Sequence, residues 1–257
     1  MLLVLSPAKS LDFENPLPIS SGTQPEFLES AAHLNRILRT LSPEDLSDLM
    51  AISPALGELN FQRNLNWTLP FTTDNARPAL FAFTGDVYQG LNARTLSAAD
   101  LDFAQDHVRI LSGLYGMLRP LDLIQPYRLE MGTTLKAGKF RSLYAFWDKK
   151  LALALRELLL THSRQTLVNL ASTEYFRAVD LRALELPVIS PVFRDYKNGQ
   201  YKIISFFAKK ARGSMAAYII KNRIDCPQDI LGFDVDGYRY SKTDSTPENP
   251  VFLRKQA

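Results

Sequence analysis

Asn198-Gly199 stands, with Lys197, between two β-rich runs, Val188 to Tyr196 and Gln200 to Phe206. An Asn-Gly pair readily takes the two positive-φ positions of a tight hairpin turn, so this segment predicts two antiparallel strands. Directly afterwards, AKKARGSMAAYIIKNRI changes to helical period. Elsewhere short apolar runs alternate with helical stretches. Leu2 to Leu5 read as a buried strand ended by Ser6-Pro7. Residues 24–40 carry helical spacing, and Ser42-Pro-Glu-Asp supplies an N-cap, a first-turn proline and an acidic third position for a second helix. Ala79 to Phe83 form a short apolar run closed by Thr84-Gly85-Asp86, after which Val87 to Leu91 start a helix. Ser97 and Asp100 cap a helix over 98–107, residues 144–160 read as one apolar helix, and Leu167 to Leu170 read as a strand followed by a helix start. Short strands at Tyr238 to Tyr240 and Val251 to Leu253 end the chain. Without a strict βαβ rhythm, the expected class is mixed α/β (α+β): a mixed twisted sheet with an antiparallel hairpin, covered by helices. No repeat or linker divides residues 1–257, so one domain is expected.

Composition narrows the chemistry. With 46% hydrophobic and 22% charged residues the chain is of globular type. Its longest apolar runs are too short to span a bilayer or are broken by charge, and its first residues lack the pattern of a secretory signal. A cytoplasmic location without a membrane partner is expected. Cys226, the only cysteine, lies in the context Ile-Asp-Cys-Pro. It has no partner for an intramolecular disulfide and no sign of an activated thiolate. His33, His107 and His162 stand apart, with no metal-ligand spacing, so no metal site is expected. No phosphate-binding Walker loop, dinucleotide fingerprint or nucleophile elbow occurs, and no cofactor is expected. A monomer is favoured.

Charge is unevenly spread. Residues 194–223 hold eight lysines and arginines against Asp195 alone, while the whole chain carries a formal +3, so the remainder is net acidic. One basic segment on an acidic body suits a protein that offers one face to a polyanion, although a solvated basic surface has the same composition. Lys209, Lys210 and Arg212 are expected to crowd the start of a helix, where free backbone N–H groups favour an anion. Lys9, just beyond the opening strand, is placed to face a cleft.

The stretch LSGLYGMLRPLDLIQPYRLEMG, residues 111–132, admits two readings. Gly113 and Gly116, followed by Arg119, resemble the hairpin of a helix-hairpin-helix DNA-binding element, in which glycines let backbone N–H groups approach phosphates. Their spacing and Pro120 suit equally a strand with a glycine bend. Arg119, Asp122, Tyr127, Arg128 and Glu130 interrupt an otherwise apolar run, and such charges need partners, as on a cleft wall.

SPAKSLDF at 6–13, GDVYQGL at 85–91, the whole 111–132 block, NLASTEYF at 169–176 and ISFFAKKARG at 204–213 resemble the signature blocks of the YaaA (UPF0246) family. That resemblance implies resistance to hydrogen peroxide, with effects on iron homeostasis that limit oxidative damage. It also implies DNA binding through a positively charged cleft in an unusual mixed α/β fold with a helix-hairpin-helix element, whose carrier here would be Gly113 to Arg119. The expected partner is double-stranded or structured DNA, held by Lys9, Gly113, Gly116, Arg119, Arg128, Lys209, Lys210 and Arg212. The alternative is an enzyme acting on a nucleotide or nucleic-acid substrate in the same cleft, with Asp86, Glu130 or Glu174 as acid or base.

Overall fold

A computed structural model describes residues 1–255. The last two positions of the expected 1–257 domain lie outside the described residues. In chain order the first elements are β1 (Leu2–Leu5), α1 (Leu28–Leu38), α2 (Pro43–Met50), α3 (Pro54–Asn66) and β2 (Arg77–Pro78). Next come α4 (Ala79–Ala82), α5 (Asp86–Leu91), α6 (Ala98–His107), β3 (Val108–Ser112), β4 (Gly116–Leu118) and β5 (Leu123–Ile124). The chain continues through α7 (Leu143–Trp147), α8 (Lys150–Leu160), β6 (Leu167–Leu170), α9 (Thr173–Phe176), α10 (Leu181–Leu184) and β7 (Val188–Ile189). It ends with β8 (Val192–Lys197), β9 (Gln200–Lys202), α11 (Ser205–Lys221), β10 (Arg239–Ser241) and β11 (Val251–Arg254).

The fold is mixed α/β, and its strands divide among three sheets. The largest runs β4-β3-β1-β6-β7, with β3, β1, β6 and β7 parallel and β4 returning antiparallel at one edge. All four residues of β1 are fully buried, as a run of Leu and Val must be in a parallel strand covered on both faces. A second sheet runs β10-β11-β8-β9 and contains the Asn-Gly hairpin, paired as Lys197 to Gln200, with Asn198 and Gly199 both at positive φ. Its buried centre is an ionic network, in which Asp195 accepts from Arg254 at 2.6 Å and from the Tyr238 hydroxyl at 2.9 Å. The Arg254 guanidinium also lies over the rings of Phe207, in the first turn of α11, and Tyr238. This ties the start of α11 to the second sheet. A two-stranded pair, β2 with β5, completes the set.

Local signals mark several boundaries. Ser42 with Asp45 and Ser97 with Asp100 form reciprocal capping boxes at the starts of α2 and α6. Two expectations are corrected. The apolar stretch 144–160 is two helices, α7 and α8, because Asp148 between them takes a positive φ of 41°. The second hairpin strand stops at Lys202, and Ser205, Phe206 and Phe207 belong to α11. The helical turn α4 occupies most of the 79–83 run.

Helices α5 and α11 cross at unusually close range through Gly90 and Gly213. A Cβ built on Gly213 would lie 1.7 Å from the Val87 carbonyl oxygen, and one on Gly90 would lie 2.0 Å from the Lys210 carbonyl oxygen. At an open helical site Gly→Ala stabilises by about 1 kcal/mol. Gly213→Ala is expected to have the opposite sign, losing about 1–3 kcal/mol through overpacking against backbone. A fall in the urea midpoint at unchanged slope is the expected result, and a raised midpoint would contradict this packing.

Candidate active site

Strand order creates the cleft. The connection from β1 leads to β3 on one side, whereas β6 leads to β7 on the other. Adjacent parallel strands whose connections diverge leave a crevice beyond their carboxyl ends. Here that crevice lies between the loop Ser6–Ser10 after β1 and the segment Leu170–Tyr175 after β6. The two loops are joined directly, because the Ser172 N–H donates to Ser6 Oγ at 2.8 Å and the two hydroxyls are 3.3 Å apart. Beneath them the Tyr88 hydroxyl donates to the Ser6 carbonyl at 3.0 Å, fixing α5 under the loop. The resulting cleft holds about 490 Å³. Thr84 to Val87 form one wall, Glu130 a second, and Lys209 and Arg212 on α11 a third.

The carboxylates are held in place. Glu174 accepts from the Gly132 N–H at 2.9 Å. Glu130 receives Lys9 Nζ at 2.7 Å and Arg128 Nη2 at 3.5 Å. Gly113 makes Glu130's position possible, since any side chain there would meet the Leu129 carbonyl at 2.2 Å. Tyr175 lines the same space, and burial, followed by the Glu174 and Glu130 carboxylates, pushes its phenol above the ordinary value. That phenol is a neutral O–H donor throughout the physiological range.

Arg212 differs from the other basic groups. Burial alone pulls its guanidinium below the ordinary value, and among the described residues it makes no ion pair or side-chain hydrogen bond. A half-buried guanidinium with no counterion is destabilising, and an anion entering the cleft relieves that cost. Lys209, three residues earlier on the same helical face, is exposed beside it. Lys210, on a different face, pairs with Asp236 at 3.2 Å. All three were expected at the helix start; since α11 begins at Ser205, they lie one to two turns inside it, which separates Lys210 from the other two.

Of the expected phosphate contacts, Lys9, Lys209 and Arg212 meet in the cleft, and Arg128 sits behind Glu130. Arg119 is elsewhere, bound to Asp122 at 3.0 Å and to the Gln24 carbonyl at 2.9 Å. Gly113 and Gly116 belong to the buried β3–β4 hairpin, where the Trp147 indole N–H donates to the Gly113 carbonyl at 3.0 Å and its ring covers Gly116. The segment is therefore a β-hairpin with a glycine bend rather than helix-hairpin-helix, and its glycines serve packing. The expected acid–base candidates Asp86, Glu130 and Glu174 all line the cleft. With Lys9, Lys209 and Arg212 opposite, the lining holds three carboxylates and three cations, a balanced site where a basic one was expected. Ser6, Ser172 and Tyr175 escaped sequence reasoning, because nothing local distinguishes a serine at a strand end from any turn serine.

The family described as "Peroxide stress protein YaaA" matches residues 1–244. The chain belongs to that family. UPF0246 proteins are similar over nearly the full length: one from Teredinibacter turnerae is 54% identical over 256 residues, covering 100% of both chains. Another from Polynucleobacter asymbioticus is 51% identical over 256 residues, covering 100% of this chain and 99% of its own. A third, from Paraburkholderia phytofirmans, is 53% identical over 257 residues, covering 99% of each. Membership in the YaaA family is consistent with a role in the peroxide response. Among the described residues no helix is long and apolar enough to cross a membrane.

Arg212→Gln is predicted to leave the melting temperature of the ligand-free protein unchanged or raised, because it removes a half-buried charge without an ion-pair partner. The same change is expected to abolish thermal stabilisation by inorganic pyrophosphate, while Lys210→Ala retains it. Equal stabilisation of Arg212→Gln and the unsubstituted protein would show that Arg212 is not an anion ligand.

Proposed function

We propose that the cleft is the active site of an enzyme acting on a phosphate-bearing substrate of the nucleotide or nucleic-acid class. The observation that carries this reading is the half-buried, uncompensated guanidinium of Arg212 on the wall of a cleft that also holds Asp86, Glu130 and Glu174. Arg212 and Lys209 bind the phosphate, which fixes the rest of the substrate against the carboxylates. Glu174, anchored by the Gly132 N–H, and Glu130, bridged to Lys9, are the acid–base pair, and the neutral Tyr175 hydroxyl donates to a developing negative charge.

Glu174→Gln and Glu130→Gln keep the shape of the cleft and remove the exchangeable carboxylate proton. Loss of a general acid or base costs about 10²–10⁴-fold in rate. Cells that depend on either variant are expected to lose survival under hydrogen peroxide, while the purified variants still gain thermal stability with pyrophosphate. Full peroxide protection by both variants would refute the catalytic assignment.

A second reading has an observation of its own. The outer part of the β8–β9 hairpin and the start of α11 expose Tyr196, Tyr201, Ile203 and Phe206 beside Lys197 and Lys202. Aromatic rings interleaved with lysines form a stacking and phosphate surface for nucleic acid, leading along α11 toward Lys209. On this reading DNA runs from the hairpin into the cleft. With Lys197, Lys202, Lys9, Lys209 and Arg212 each neutralising a phosphate, the affinity for duplex DNA is expected to fall with salt at a log-log slope of about −4 to −5. A slope near zero would remove this reading and leave the enzymatic one standing.

A further inference from the structure

We propose that His107, His162 and Asp225 bind a divalent transition-metal ion at the end of the central sheet opposite the cleft. The three are distant in sequence and lie in different connections. His107 ends α6 immediately before β3, His162 lies in the turn between α8 and β6, and Asp225 follows α11. Since β1, β3 and β6 are parallel neighbours, the amino ends of all three strands adjoin, and residues just before them are brought together. One donor atom from each of the three lies within 4.8 Å of the other two.

The surroundings orient these donors. The His107 Nδ1 lies 2.8 Å from the Met1 carbonyl oxygen. A carbonyl only accepts, so Nδ1 carries the hydrogen and Nε2 keeps its lone pair, the support usually given to a metal-ligating imidazole. Phe103 stacks on the same ring with centroids 4.0 Å apart, which fixes its plane. The His162 ring stands edge-on to the His107 ring at 4.7 Å. One oxygen of Asp225 takes a hydrogen bond from the Ser163 hydroxyl, and the other is bonded to the Met1 ammonium at 2.6 Å. That ammonium is also 3.4 Å from His162 Nδ1. The cluster thus already holds one cation between a carboxylate and an imidazole.

Ligand chemistry selects the class of ion. Two imidazoles and one carboxylate suit Fe(II), Co(II) or Zn(II), whereas Mg(II) and Ca(II) prefer all-oxygen sites. Metal bonds of about 2.0–2.1 Å place neighbouring donors roughly 3.3 Å apart. Binding therefore requires the donors to draw together from separations of up to 4.8 Å, by rotation of His162 in its turn and Asp225 in its loop. The Met1 amine, after giving up a proton to solvent, is within reach as a fourth donor.

The test uses the full chain, treated with chelator, desalted and titrated with Co(II) and Zn(II). Expected results are one Co(II) per chain with the intense visible absorption of a four-coordinate site, and a raised melting temperature with Zn(II). His162→Gln leaves the Met1–Asp225 ion pair in place, so its folding is not in question, and it is expected to weaken Co(II) binding about 100-fold. Asp225→Asn should do the same. Glu130→Gln and Glu174→Gln, in the cleft, should bind as the unsubstituted protein does. A Co(II) spectrum identical to that of the aquo ion would overturn the proposal, as would equal binding by His162→Gln. In either case the cluster serves only to hold the chain's first residue in place.

Discussion

Everything in this protein is arranged about β1. Its four residues, Leu2 to Leu5, are covered on both faces and paired with a parallel strand on each edge. Because both neighbours run parallel to it, all loops leaving the three strands emerge at one end and all loops entering them arrive at the other. The divergence of the connections at β1 and β6 opens the carboxyl end into a cleft. The amino end, where the loops are short and close-set, gathers His107, His162 and Asp225 instead.

Pairing distinguishes the basic residues more than net charge does. Lys9, Arg128, Arg119 and Lys210 each have a carboxylate partner. Arg212 stands apart because it is half-buried and makes no ion pair among the described residues. Gly90 and Gly213 are thus connected to chemistry as well as packing: they bring Asp86 on α5 and Arg212 on α11 to the same cavity. A cleft with three carboxylates facing three cations repels a simple polyanion more than a basic groove would. On the proposed function, the ligand's phosphate meets Arg212 while its other groups meet Glu130 and Glu174.

The glycines at 113 and 116 show how a correct observation admits two outcomes. Two glycines followed by an arginine fit a phosphate-binding hairpin and fit a strand bend. What separates them is Trp147, whose ring fills the space over Gly116 and whose indole N–H takes the Gly113 carbonyl. Nothing within residues 111–132 announces that a tryptophan some thirty positions later will occupy that space. The block forms a packed hairpin that delivers Glu130 to the cleft.

The sequence by itself determined the elements whose cause is local. Asn198-Gly199 set the hairpin because few other residues accept two successive positive φ values, the serine-aspartate boxes set the starts of α2 and α6, and the run Leu2 to Leu5 set a strand buried on both faces. It also marked Asp86, Glu130, Glu174, Lys9, Lys209 and Arg212 as chemistry-bearing residues. Only the tertiary structure decided which cations are neutralised, that Arg212 is not, and that two histidines and an aspartate from separate connections meet. The physical reason is range. Turn and cap preferences act over a few residues, whereas charge pairing and ligand geometry depend on distances through space, and those are set by the order in which strands lie beside β1.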